Sequence, residues 1–105
     1  MNTTFDDRER AFESKFAHDQ EMQFKAVARR NKMLGIWAAG LLGKSGQAAD
    51  EYAMDVIRAD FEKAGHNDAL KKVLHDLEGK TDEATIRAKM DEFLLAAKVQ
   101  LVEEG

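Results

Sequence analysis

The residues nearest to a chemical motif are Ala38-Ala39-Gly40-Leu41-Leu42-Gly43-Lys44-Ser45, which satisfy a permissive phosphate-loop pattern with Ala in place of the first Gly. In a working loop of that kind, a strand feeds a Gly-rich turn whose amides cradle phosphates ahead of a helix. Residues 34–42 read as helix instead, no strand candidate precedes them, and no Asp-terminated apolar strand follows to hold magnesium. A helix end, a Gly cap and a Ser cap explain the same letters. A weaker anion site is a separate expectation: the amides opening the next helix, together with Lys44, Ser45 and the arginines upstream, would hold a phosphate of ADP or ATP. The three histidines, His18, His66 and His75, fall in separate elements. None forms the i, i+4 pair that zinc requires, so no metal site and no resident cofactor are expected. Ser14 and Ser45 have no neighbouring His and acid in a nucleophile arrangement, and the chain reads as a protein without catalytic residues.

Recognition chemistry is better represented. Phe5, Phe12 and Phe16 recur at i, i+7 and i+11, one narrow stripe on a helix, and nearly every residue around them is charged or polar. Asp6, Asp7, Glu9, Glu13 and Asp19 outnumber Arg8, Arg10 and Lys15, giving residues 1–19 a charge of about −2. Residues 20–45 reverse the sign to about +4, with Lys25, Arg29, Arg30, Lys32 and Lys44 against Glu21 alone, and the remainder returns to about −6. A basic belt between two acidic stretches suits docking on an acidic protein surface, although a solvated helix face would look the same. Three aromatics among so many charges cannot offset the entropy of ordering a lone helix, so residues 1–19 are expected to be disordered in the free chain. Large aromatics of this kind anchor interfaces when they fill pockets.

The elements that must position these residues are helical. The 105-residue chain has no Pro and no Cys, with 44% hydrophobic and 34% charged residues. That composition favours helix, permits one domain with a modest core, and rules out a disulfide framework or a thiolate metal site. From about Glu21 to Leu42, Val27, Leu34, Trp37 and Leu41 line one face, with Arg30 and Met33 adjoining, and Gly43 is the natural C-terminal cap. Ser45 caps a second helix whose face is Ala49, Tyr52, Ala53, Val56, Ile57 and Phe61. After a turn at Gly65-His66-Asn67-Asp68, a short helix offers Leu70, Val73, Leu74 and Leu77, closed by Gly79. Thr81 or Asp82 caps the last, with Ile86, Met90, Phe93, Leu94, Ala97 and Leu101 as its stripe. The fold class expected is all-α: an antiparallel four-helix bundle over residues 20–105 carrying a flexible N-terminal arm over residues 1–19.

The same composition bounds the function. A formal charge of −4 disfavours nucleic acid as the main partner. No apolar leader opens the chain, and no window approaches the roughly 20 apolar residues of a membrane span, so a cytoplasmic protein without direct membrane insertion is expected.

The runs Thr4-Phe5-Asp6-Asp7-Arg8-Glu9, Lys15-Phe16-Ala17-His18-Asp19 and Phe24-Lys25-Ala26-Val27-Ala28-Arg29-Arg30-Asn31-Lys32 resemble the zeta subunit of the alpha-proteobacterial ATP synthase. The likeness continues through Leu34-Gly35-Ile36-Trp37-Ala38-Ala39, Tyr52-Ala53 and Ala59-Asp60-Phe61-Glu62 to Arg87-Ala88-Lys89-Met90-Asp91-Glu92, nearly the whole chain. The resemblance implies an inhibitor of ATP hydrolysis by the F1 head, meeting its alpha, beta and gamma subunits and held beside the inner membrane through the enzyme. It also implies that Thr4, Phe5, Asp6, Asp7, Arg8, Glu9, Arg10, Phe12, Glu13, Lys15, Phe16, His18 and Asp19 form the inhibitory arm, entering as a helix at a catalytic interface. Without the resemblance, the alternatives are a helical adaptor using Lys25, Arg29, Arg30 and Lys32, or a non-catalytic nucleotide sensor at Lys44 and Ser45.

Overall fold

The computed structural model describes residues 20–62 and 68–104. Among these residues there are four helices: α1 Gln20–Leu41, α2 Gly46–Glu62, α3 Asp68–Asp76 and α4 Glu83–Glu104. The expected all-α, four-helix architecture is what the described residues adopt. The N-terminal arm of residues 1–19, and His66 with its turn, lie outside the described residues.

The turns form for identifiable reasons. At the end of α1, Gly43 takes φ +79°, the Gly43 amide donates to the Gly40 carbonyl at 3.1 Å, and the Lys44 amide donates to the Ala39 carbonyl at 2.8 Å. This pairing satisfies the last carbonyls of a helix, and a glycine adopts the left-handed backbone it needs without steric cost. Before α4, the Asp82 carboxylate accepts the Thr85 amide at 2.8 Å, an N-terminal cap. Gly79, at φ +84°, closes the turn after α3.

α1 is the centre of the packing. It touches α2, α3 and α4, whereas among the described residues no Cα atom of α2 comes within 8 Å of one in α4. Both run antiparallel to α1: Phe24 meets Phe61 and Gly35 meets Ala53 on the α2 side, while Arg29 meets Glu104 on the α4 side. The main core joins Leu34, Ala38 and Ala39 of α1 to Tyr52 and Val56, to Leu70, Val73 and Leu77, and to Ile86 and Met90. Leu34, Val56, Val73, Leu77 and Ile86 are wholly buried, and each contributes about 1.5–3 kcal/mol through lost apolar surface. A second cluster at the other end of α1 joins Ala26 and Leu101, with Met22, Leu94 and Val102 packed against them.

Two positions depart from the expected apolar faces. Leu41 and Phe61, each expected on a buried face, are 41% exposed. Leu41 is the last residue of α1 and Phe61 the last but one of α2. Phe61 stacks on the still more exposed Phe24, with ring centroids 4.5 Å apart.

Candidate functional site

The sequence offers three groups of candidate residues, and the fold treats them differently. Thr4, Phe5, Asp6, Asp7, Arg8, Glu9, Arg10, Phe12, Glu13, Lys15, Phe16, His18 and Asp19 all lie outside the described residues. The basic belt and the Lys44-Ser45 pair are both in view.

The belt divides into cations that are used and cations that are free. Arg30 turns inward and is nearly buried, contrary to its expected place on an open basic face. Its Nε and Nη2 donate to Asn31 Oδ1 at 3.0 and 2.8 Å, and Nη2 lies 3.6 Å from the buried Asp60 carboxylate. Asn31 Nδ2 donates to Asp60 Oδ2 at 2.9 Å, and Asp60 Oδ1 accepts the Ala69 amide in the first turn of α3 at 3.2 Å. One carboxylate therefore ties α1, α2 and α3 together. Burial pushes the Arg30 guanidinium below its ordinary pKa, partly offset by the charges of Asp60 and Asp91. The physical reason for the inward turn is the need for polar partners. Asn31 is fully buried, and a buried amide and carboxylate must find hydrogen bonds and countercharge.

Arg29 is committed to α4. Its Nη1 and Nη2 hold the two carboxylate oxygens of Glu104, the latter at 3.1 Å, and Nη1 reaches Gln100 at 3.3 Å. The hydrogen bonds from Arg29 hold the Glu104 carboxyl below its usual value. Lys25 and Lys32 are exposed and have no carboxylate partner among the described residues.

Grooves border this ridge on both sides. One, of about 510 Å³, runs between α1 and α4 and is lined by Arg29, Lys32, Met33, Ile36, Trp37, Phe93 and Gln100. The other, of about 370 Å³, runs between α1 and α2, where Phe24, Lys25, Ala28 and Ile57 line it. The outer face of α1 is thus a cationic ridge with apolar flanks. Trp37, expected in the core, is half-buried and forms a wall of the first groove.

The Lys44-Ser45 region offers less than its letters suggest. Helix α1 precedes it, and the Gly43 and Lys44 amides are spent on the carbonyls of that helix. Arg29 and Arg30 begin about 20 Å away along α1, at 1.5 Å per residue, so they do not converge with Lys44. His75 is exposed. Among the described residues no group of three His, Cys, Asp or Glu side chains could hold a metal ion, and no helix is long and apolar enough to cross a membrane.

Sequence reasoning missed Asp60, Glu104 and the Phe24–Phe61 stack. Asn31 was the available signal for Asp60: a polar residue three before Leu34 on the packed face demands a buried partner. Nothing in the local sequence marks Glu104.

None of the curated proteins matches the chain. A protein solved by solution NMR is 56% identical, aligned over 80% of this chain and 99% of its own, with a TM-score of 0.71. The described fold is therefore shared with a solved relative. The ATPase inhibitor subunit zeta family matches residues 2–100, taking in the acidic aromatic stretch, α1 with its ridge and most of α4. That match spans nearly the whole chain, and the chain belongs to the ATPase inhibitor subunit zeta family.

Proposed function

We propose that this protein inhibits ATP hydrolysis by the F1 head of ATP synthase, its residues 1–19 entering as a helix at a catalytic interface while the bundle holds them in place. The observation that supports it most is the family match, which begins at residue 2 and so includes the whole acidic aromatic stretch. Phe5, Phe12 and Phe16 fill pockets along the cleft, and Asp6, Asp7, Arg8, Glu9, Arg10, Glu13 and Lys15 pair with its charges. The inhibitor obstructs the conformational cycle and takes no part in phosphoryl transfer. Its partners are the alpha, beta and gamma subunits at the head, which places it in the cytoplasm beside the membrane.

The base of the arm is suited to this role. Met22 and Ala26 pack on Leu101 and Val102, and Arg29 is pinned to Glu104, so the first turns of α1 are clamped by the end of α4. The test is a titration of purified head with the full chain, with a chain lacking residues 1–19, and with Phe5→Ala and Phe12→Ala. Losing one anchor costs about 2 kcal/mol, so each substitution weakens inhibition at least tenfold. Full inhibition by the truncated chain would refute the reading.

A further inference from the structure

Lys25 and Lys32 are the two cations of α1 that the fold leaves without a carboxylate among the described residues, on a chain whose net charge is −4. They are seven residues apart, about 10.5 Å along one side of the helix. The Phe24 ring, 56% exposed, stands at one end of the ridge and Ile36, 39% exposed, at the other. Met33, Trp37 and Phe93 wall the groove beside it. A contiguous apolar and cationic surface of this kind marks a contact site and suits a partner that is acidic and partly apolar.

The position of the ridge relative to the arm says where that partner is. Residues 1–34 contain no Gly and no Pro, so an arm that binds as a helix has nothing in its sequence to break it from α1. At about 100° per residue, Phe5, Phe12 and Phe16 fall within about 40° of arc, and the same phase carried into α1 reaches Arg30 and Leu34, which face the bundle. Lys25 and Lys32 then stand about 180–200° round, on the opposite side. Lys25 also follows the end of the arm by only about 9 Å. A cleft that takes the arm therefore brings its lip against the first turns of α1.

We propose that the outer ridge of α1, centred on Lys25 and Lys32, is a second contact with the ATPase head, docking on an acidic, partly apolar surface at the lip of the cleft opposite the wall that receives the phenylalanines. This rests on the reading of residues 1–19 as the inserted arm. The ridge and the phenylalanine stripe grip two sides of one cleft, so the bundle fixes both the depth and the rotation of the arm.

The test compares Lys25→Glu/Lys32→Glu with Lys71→Glu/Lys80→Glu, a pair of exposed lysines that changes net charge equally away from the ridge. Each is titrated against purified head at low and high ionic strength. The ridge variant should need about tenfold more protein for half inhibition at low salt, with the gap closing at high salt, while the control behaves as wild type. Melting temperature monitors the fold, and Lys25→Ala/Lys32→Ala replaces the reversal should it fail to fold, read by its flattened salt dependence. Wild-type inhibition and salt dependence in the ridge variant overturn the proposal. Stronger inhibition also overturns it and assigns the ridge to the chain's own acidic arm. A wild-type dimer that the ridge variant abolishes without loss of inhibition assigns it to a second copy. The chain lacking residues 1–19 is measured alongside, and its retained inhibition would instead remove the arm reading itself.

Discussion

Two glycines five residues apart on α1 should respond to the same substitution with opposite signs. A Cβ built on Gly35 stands 2.5 Å from the Cα of Ala53, 2.9 Å from its Cβ and 3.3 Å from its backbone nitrogen. Ordinary carbon contacts are about 3.5–4.0 Å, so α1 and α2 must part by about 1 Å to admit a methyl group. The obstructing atoms are chiefly backbone and cannot rotate away, which places the cost near the upper end of the roughly 1–3 kcal/mol for overpacking. Replacing Gly by Ala inside a helix returns up to about 1 kcal/mol of propensity. The net for Gly35→Ala is a loss of about 1–2 kcal/mol, a fall in melting temperature of roughly 5–15 °C for a domain of this size. At Gly40 a Cβ meets nothing within 4 Å, so Gly40→Ala keeps the propensity gain and raises stability by about 0.5 kcal/mol. Urea and thermal unfolding followed by helical ellipticity measure both. Shifts in the same direction, or a neutral Gly35→Ala, would refute the argument that helix contact and not propensity governs position 35.

Further outcomes follow from the polar contacts. Asp60→Ala strands the buried Arg30 charge, leaves Asn31 Nδ2 without its acceptor and uncaps α3, so it should cost about 3–5 kcal/mol, against about 0.5 kcal/mol or less for Lys32→Ala; chemical denaturation decides. Tyr52 donates to the Asp76 carboxylate at 2.8 Å and Lys72 does so at 3.1 Å. Burial pushes the Asp76 carboxyl up, but those hydrogen bonds outweigh it and hold the group below its usual value. This contribution is complete above about pH 4 and fades as acid protonates the folded-state carboxylate. Tyr52→Phe should therefore cost about 1 kcal/mol near neutrality, and its deficit should shrink below about pH 4; a deficit constant from neutrality into acid would contradict this. Purified chain should hydrolyse no ATP above buffer background, because a helix precedes the phosphate-loop letters and the Gly43 and Lys44 amides already cap it. Turnover abolished by Lys44→Ala would show otherwise.

The helices were legible because each has a strong local signal. Gly43 and Gly79 mark turns that only glycine takes cheaply, Asp82 caps α4, and the Ile86, Met90, Ala97, Leu101 stripe is the face that α4 buries. α1 was harder to read, since it packs against α2 on one side and α4 on another. Its buried residues Ala26, Asn31, Leu34, Gly35, Ala38 and Ala39 consequently spread over a wide arc and do not form one stripe. Arg30 was grouped with the belt by its charge, yet it stands about 140° round the helix from Lys25, on the side of Leu34, and the buried Asp60 across the interface is its countercharge there. Gly35 gave no sign of its contact with Ala53, because close approach of two helices is a property of the pair. The candidate site was half-visible for the same reason. Lys25 and Lys32 can be found from charge alone, but which cations are left free depends on where Glu104 and Asp60 come to rest.

Attaching a recognition arm to the central helix also changes the energetics of ordering it. A free peptide must form its first helical turn at an unfavourable equilibrium of about 10⁻³, a cost of about 4 kcal/mol, before each added residue brings a hydrogen bond of its own. In this chain the turn already exists at Gln20, because α1 is folded against α2 and α4 and its start is clamped by Leu101, Val102 and Glu104. Under the proposed function, residues 1–19 would bind by extending that helix backward from a formed end, so the nucleation cost falls on the stable bundle and not on the complex. The absence of Gly and Pro before Gly35 keeps this route open. A glycine-rich joint at the same place would close it and release the rotational phase that sets the phenylalanines and the lysine ridge on opposite sides.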